Sequence, residues 1–166
     1  MARITIREAE ERDITAMMHI YNYEVEHGIA TLDLHPRSYD DRRAWFCMHG
    51  SEDHPLIVAE ENDVILGYAS LSPYREKEAY KSTVELSIYI APEYRQKGIA
   101  AKLMEAILEM ARKNGRIHLV VSVITHGNEA SDRLHRKFGF TYCGTLHEVG
   151  MKFGKYLDID NYELVV

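Results

Sequence analysis

The stretch VELSIYIAPEYRQKGIAAKL, Val84 to Leu103, changes its hydrophobic period halfway along. Up to Ile90 it alternates, with Val84, Leu86, Ile88 and Ile90 on one face and Glu85, Ser87 and Tyr89 on the other, as along a β-strand. After Pro92 the spacing is that of an amphipathic helix. Ile99, Leu103, Ala106, Ile107 and Met110 make the core-facing stripe, and Gly115 is expected to end it. The turn between, YRQKGIA, brings Arg95 and Lys97 to the helix start, an end that already carries unpaired N–H groups and partial positive charge. Two more cations there predict an anionic ligand. By spacing alone, Arg95-x-x-Gly98-x-Ala100 is either a ligand cradle or a turn whose glycine serves the backbone. It has neither the Gly-Lys-Ser/Thr ending of a triphosphate loop nor a full G-x-G-x-x-G.

Upstream, RITIRE alternates as a half-buried strand, and ERDITAMMHIYNYEVEHG carries a helix. Its apolar face is Ile14, Met17, Met18, Tyr21 and Val25, with Asp13 as the expected cap and Gly28 as the stop. SYDDRRAWFCM reads as a shorter helix, with Ser38 and Asp41 spaced like a capping box and Trp45 as a core anchor. PLIVAEENDVILGYASLSPY is a hairpin turning at Asn62 and Asp63. Downstream, IHLVVSVIT is an apolar strand covered on both faces. NEASDRLHRKFGF is a short helix capped by Asn128 or Ser131, with Gly139 at its exit. TYCGTLHEVGMKF and YLDIDNYELVV are antiparallel strands, the final YELVV serving as an edge strand or as part of an interface. The predicted order is strand, two helices, three strands, helix, strand, helix, two strands, in a single α/β domain over residues 1–166.

The 166 residues are 46% hydrophobic, enough for one sizeable core, and 26 acidic against 20 basic side chains leave a net charge of −6. That balance argues against a nucleic-acid partner or an anionic membrane surface, so an anion site must be local. No apolar run approaches the roughly 18 residues of a membrane span. Cys47 and Cys143 lack the spacing of zinc or redox motifs and read as reduced, buried thiols of an intracellular, cytoplasmic protein. The nine histidines show no metal-ligand spacing, so no metal is expected, and no G-x-S-x-G nucleophile elbow is present.

In its order and its motifs, VELSIYIAPEYRQKGIAAKL followed by an apolar strand and GNEASDRLHRKFGFTYCG resembles the GNAT superfamily of N-acetyltransferases. Five stretches, IYNYEVEHG, YREKEAY, TVELSIYI, NEASDRLHRKFGF and VGMKFGKYLDI, resemble the phosphinothricin and methionine sulfone/sulfoximine acetyltransferases within it. The resemblance implies a central, mixed, strongly twisted and mostly antiparallel sheet flanked by helices. It implies acetyl-CoA as co-substrate, a small-molecule primary amine as acceptor, and a homodimer. It also implies that Arg95, Gln96, Lys97, Gly98, Ile99 and Ala100 hold the coenzyme A pyrophosphate. Ser87, Ile88, Tyr89, Ile90, Asn128, Ser131 and His135 would meet the rest of the cofactor, with an N–H near Ile90 polarising the thioester carbonyl.

Direct amide formation from a thioester needs a neutral amine, a stabilised oxyanion and a proton for the leaving thiolate. Glu85 is polar on an otherwise apolar strand and matches the family's catalytic glutamate. His135 matches a family histidine near the thioester, where it either serves the sulfur or simply packs with Leu134 and Phe138. Arg75, Tyr80, Glu85 and Lys152 match acceptor-facing positions. Leu32, in place of a common phenylalanine, and Lys77 between Glu76 and Glu78 depart from the subfamily's acceptor pocket. Two alternatives accompany this reading: a peptide or protein-N-terminal acceptor, and a non-catalytic coenzyme-A-binding module.

Overall fold

A computed structural model describes residues 3–166. Its elements are β1 (Thr5–Glu8), α1 (Ile14–His27), α2 (Tyr39–Cys47), β2 (Leu56–Glu61), β3 (Val64–Pro73), β4 (Thr83–Ile90), α3 (Ile99–Lys113), β5 (Leu119–Thr125), α4 (Glu129–Lys137), β6 (Thr141–Lys152) and β7 (Lys155–Val165). This is the order predicted from periodicity. The strands form one seven-stranded sheet, β1-β2-β3-β4-β5-β7-β6, in which β4 and β5 are parallel and the other pairs antiparallel. Asn62 and Asp63 both take positive φ at the β2–β3 turn, which such residues tolerate.

Helices cover both faces of the sheet around β2, β3 and β4. On one, Ile99, Leu103, Met104, Ile107, Leu108 and Ala111 of α3 pack on Val84, Leu86 and Val120. On the other, Ile14, Met17 and Ile20 of α1 meet Val58 and Tyr68. α2 contributes Trp45, half-buried rather than deep in the core, whose ring lies 3.9 Å from the guanidinium carbon of buried Arg42. That cation also lies over Tyr21 and donates to the Tyr68 hydroxyl at 3.1 Å. No helix among the described residues is long and apolar enough to cross a membrane.

Several local expectations are corrected. Asp13 does not cap α1 with its own side chain. It accepts the Glu10 N–H at 2.8 Å and both terminal guanidinium nitrogens of Arg7, tying β1 to the helix entry. Gly28 does close α1, its N–H on the Glu24 carbonyl, but in an extended rather than a left-handed conformation, with the Glu24 carboxylate lying against it. α3 stops at Lys113, before Gly115, where Asn114 leaves the helical conformation. Cys47 and Cys143 are unpaired but exposed, because α2 and β6 turn those positions outward. YELVV is no edge: β7 lies between β5 and β6, because β5 takes it as a full antiparallel neighbour from Leu119–Val165 to Thr125–Ile159. Ser38 and Asp41 do form the predicted capping box.

Gly67 sets the spacing of β3 against β4. A Cβ there would sit 2.7 Å from the Tyr89 carbonyl oxygen and 2.6 Å from Ile90 Cδ1, and the backbone oxygen cannot step aside. Gly67→Ala is expected to cost about 1–3 kcal/mol, read as a fall of several degrees in Tm. An unchanged Tm would show that the two strands separate freely at this point.

Candidate active site

The parallel pair β4–β5 lasts for three registered positions, Thr83–Leu119, Val84–Val120 and Glu85–Val121, and then opens. β4 stays on β3 as far as Ile90 opposite Gly67, and β5 stays on β7 as far as Thr125. Each strand is therefore committed on its outer side while their inner edges diverge. Into the resulting V opens a cavity of about 660 Å³, floored by residues 86–90 of β4 and 122–125 of β5. Its walls are the end of α1 with Tyr23, Glu24 and His27, the start of α3, and the first turns of α4.

At the wide mouth lies the turn identified in the sequence. Gln96 has φ 61° and Gly98 φ 76°, so two residues in left-handed conformation curl the chain just before α3. The first helical bond runs from Lys102 N–H to Gly98 O at 3.3 Å. Among the described residues the amides of Gln96 to Ala101 consequently meet no backbone acceptor, leaving a cluster of donors at a helix N-terminus suited to a diphosphate. Arg95 is turned aside to pair with Glu24 of α1, while the Lys97 ammonium lies 5.1 Å from the centre of the Tyr94 ring.

At the narrow end, two groups sit on opposite faces of the sheet. Glu85, in the last β4–β5 pair, shares a face with Ser87 and Tyr89. It is opposite Ser72 of β3, whose hydroxyl bonds His49 Nε2 at 2.8 Å. Burial pushes the Glu85 carboxyl above its ordinary range, and no cation or hydrogen-bond donor opposes that shift among the described residues. On the α4 side, His135 is 4% exposed, between Phe140 and Tyr162. Its Nδ1 lies 2.7 Å from the Ser131 carbonyl oxygen, which can only accept, so Nδ1 carries the proton. Nε2 is then an acceptor, and the Ser122 hydroxyl donates to it at 2.7 Å. Burial holds the imidazole below its ordinary value, only partly offset by the Ser131 carbonyl and by Asp132.

The structure thus gathers Ser87, Ile88, Tyr89, Ile90, Arg95, Gln96, Gly98, Ile99, Ala100, Asn128, Ser131 and His135 around one cavity. Asn128 is also the α4 cap, its side-chain oxygen accepting the Ser131 N–H at 3.2 Å. Lys97 and the acceptor-side residues lie outside the lining. Arg75 is exposed on the β3–β4 connection, its guanidinium 4.9 Å from the Tyr74 ring centre and 5.6 Å from that of Tyr80. Lys152 is buried, and its ammonium donates to the carbonyls of Glu24 at 3.1 Å and Thr31 at 2.8 Å, so it fastens the β6 end to the α1–α2 loop. Leu32 fills the space over Gly150, where a Cβ would fall 2.7 Å from its Cδ1. Glu24 and Ser122 went unremarked in the sequence because their partners, Arg95 and His135, come from distant elements. Among the described residues no cluster of His, Cys, Asp and Glu could hold a metal ion.

Residues 15–140 match the acetyltransferase (GNAT) family. Over 166 residues the chain is 39% identical to a phosphinothricin N-acetyltransferase of Streptomyces coelicolor, covering 98% of this chain and 96% of the relative. It is 37% identical over 161 residues to the L-methionine sulfoximine/L-methionine sulfone acetyltransferase of Salmonella typhimurium, covering 97% and 94%. A solved acetyltransferase structure from Salmonella typhimurium with its cofactor acetyl-CoA superimposes with a TM-score of 0.94 at 37% identity, covering 98% of this chain and 94% of that one.

A histidine depressed by burial has a pH signature of fixed sign. The unfolded chain takes up a proton near the ordinary value of about 6.5, before folded His135 or the similarly depressed His49 does. Lowering the pH through that window therefore favours the unfolded state. Tm is expected to fall from pH 7 to pH 5, and the His135 ring signals in an NMR titration to stay neutral, protonated on Nδ1, at pH 6.5. An imidazolium at that pH would contradict the hydrogen-bond assignment.

Proposed function

The chain belongs to the acetyltransferase (GNAT) family, and from that premise we propose that it moves acetyl from acetyl-CoA to the primary amine of a small amino-acid-like acceptor of the phosphinothricin, methionine sulfone or methionine sulfoximine class. One observation carries the reading: a cleft between diverging parallel strands that begins at an unpaired amide cluster and ends at Leu86, next to a half-buried, uncompensated glutamate, Glu85. Acetyl-CoA, when bound, supplies the activated acyl group. The amides of Gln96 to Ala101 receive its diphosphate, and the inner edge of β4, free of a strand partner beyond Glu85, offers N–H groups near Ile90 to polarise the carbonyl.

Glu85 takes the proton that an ammonium must lose before it can attack. Its raised pKa brings its basicity closer to neutrality, where a general base works best. Arg75 and Tyr80, on the connection entering β4, would meet the acceptor's carboxylate, as the resemblance to the subfamily implies. Lys152 helps by holding the α1–α2 loop that closes the other side, and Leu32 over Gly150 shapes that loop's inner surface. In the amine transfer neutral His135 orients the Ser122 hydroxyl, which donates to Nε2, and the leaving thiolate takes the proton that the attacking nitrogen sheds as the amide forms.

The single sheet running through the chain supports one domain over residues 1–166. Two unpaired thiols and the use of acetyl-CoA fit a cytoplasmic setting. β6 is a sheet edge carrying exposed Leu146, Val149 and Met151, with exposed Phe153 in the turn just beyond it, which supports a homodimer formed along it. Sedimentation equilibrium is expected to give a dimer that Val149→Lys dissociates; a monomer at every concentration would remove this assembly.

Glu85→Gln tests the central role. Turnover of methionine sulfone, followed by free thiol, is expected to fall by about 10²–10⁴-fold, with acetyl-CoA affinity unchanged by calorimetry. A carboxyl raised by burial penalises the fold when ionised. The penalty is full above its folded pKa and vanishes below the unfolded one. The same substitution should therefore raise Tm at pH 7–8 and leave it unaltered near pH 4. Retained turnover across the pH range would discard Glu85 as the base.

A further inference from the structure

Ser122 and His135 come from β5 and α4, and the fold brings them to the narrow end of the cleft, where both line the cavity. Their geometry is that of an activated nucleophile. The hydroxyl donates to Nε2 at 2.7 Å, and the imidazole is fixed by a second bond from Nδ1–H to the Ser131 carbonyl at 2.7 Å. Ser122 is 3% exposed, so the cavity is its route to anything outside the protein. It also follows directly on Val121, the last β5 residue paired with β4. A thioester reaching the vertex from the Gln96–Ala101 mouth would arrive beside it. Amine transfer has no need of a nucleophilic serine, and a hydroxyl kept only for packing has no need of a base held in one tautomer.

We propose that Ser122 and His135 give the protein a second activity, hydrolysis of acetyl-CoA through an acetyl-serine when no acceptor amine is bound. The inference rests on the proposed placement of the thioester at the cleft vertex. His135 Nε2 takes the proton of the Ser122 hydroxyl as Oγ bonds to the acetyl carbon, and the carbon–sulfur bond breaks. The thiolate leaves with the proton from Nε2 as free coenzyme A. Water then gives a proton to Nε2 and adds to the acetyl carbon, the Oγ–carbon bond breaks, and Oγ recovers its proton. The net change is acetyl-CoA and water to coenzyme A, acetate and a proton, with no oxidant or metal. Because burial weakens His135 as a base, the reaction is slow beside amine transfer.

The test uses the full-length protein with acetyl-CoA in the absence of amine, following free thiol and examining the peptide that carries Ser122 by mass spectrometry after an acid quench. Parallel reactions contain methionine sulfone. The expected result is thiol release above the protein-free rate, an acetyl group on Ser122, and loss of the release by about 100-fold in Ser122→Ala, with Glu85→Gln retaining it. Release that survives in Ser122→Ala, or that disappears in Glu85→Gln alone, overturns the proposal in favour of water activated by Glu85. An unacetylated Ser122 peptide during wild-type hydrolysis overturns it whether or not the variant folds. Amine transfer without hydrolysis removes the serine route alone, whereas absence of both removes the placement of the thioester and this inference with it.

Discussion

The divergence of β4 from β5 is the constraint on which the rest of the structure depends. Parallel neighbours normally continue to pair while their hydrogen-bonding groups face each other, because unpaired backbone groups away from water are costly. Here three pairs form and the next residues part. What pulls them apart is their other neighbours. β3 holds β4 through Gly67 opposite Ile90, where only a glycine lets the strands approach, and the Ala91 N–H closes the end on Leu66 O at 2.9 Å. β7 holds β5 to Thr125, whose hydroxyl then donates to the Ile29 carbonyl at 2.5 Å and seals that strand against the α1–α2 loop. The cleft is thus lined by backbone groups whose positions are set from outside it, which is the preorganisation that a polarised carbonyl requires.

Electrostatics follow the same division between outer hold and inner opening. The chain carries a net −6, yet the mouth of the cleft presents a helix N-terminus with a run of free amides. Arg95 gives its charge to Glu24 and so fastens the end of α1 to the turn, leaving the amides as the principal anion-binding groups. Lys152 similarly spends its ammonium on carbonyls of α1 and of the loop after it. Arg95 and Lys152, read from the sequence as ligand-facing cations, thus also brace the cleft wall.

Elements whose identity depends on neighbours in sequence were legible from it. The period change from Val84 to Leu103, the Ser38–Asp41 capping box and the Asn62–Asp63 turn all rest on local geometry, and each is found. Features that rest on distant partners were not. YELVV alternates like an edge strand, but its place is decided by β5 on one side and β6 on the other. Arg42 looks like one more surface arginine of a charged helix. The aromatic surround of Tyr21, Trp45 and Tyr68 that buries it exists only after α1, α2 and β3 have met. The Ser122–His135 pair has no sequence motif at all, since 13 residues and a change from strand to helix separate its members.

The two sides of the cleft vertex differ in how completely they are satisfied. His135 has both ring nitrogens occupied and two aromatic neighbours, so the folded protein gains by keeping it neutral. Glu85 has burial and no counter-charge, an arrangement that weakens the fold whenever the carboxylate is ionised. For packing alone a glutamine would serve better at that position. On the proposed reading the missing partner is the acceptor's own ammonium, which restores the carboxylate's charge as it binds and surrenders its proton to the same group. The amine is then neutral where the strands part, and the unsatisfied glutamate makes the site responsive to a cation while the apolar Leu86 and Val84 face keeps the rest of β4 fixed.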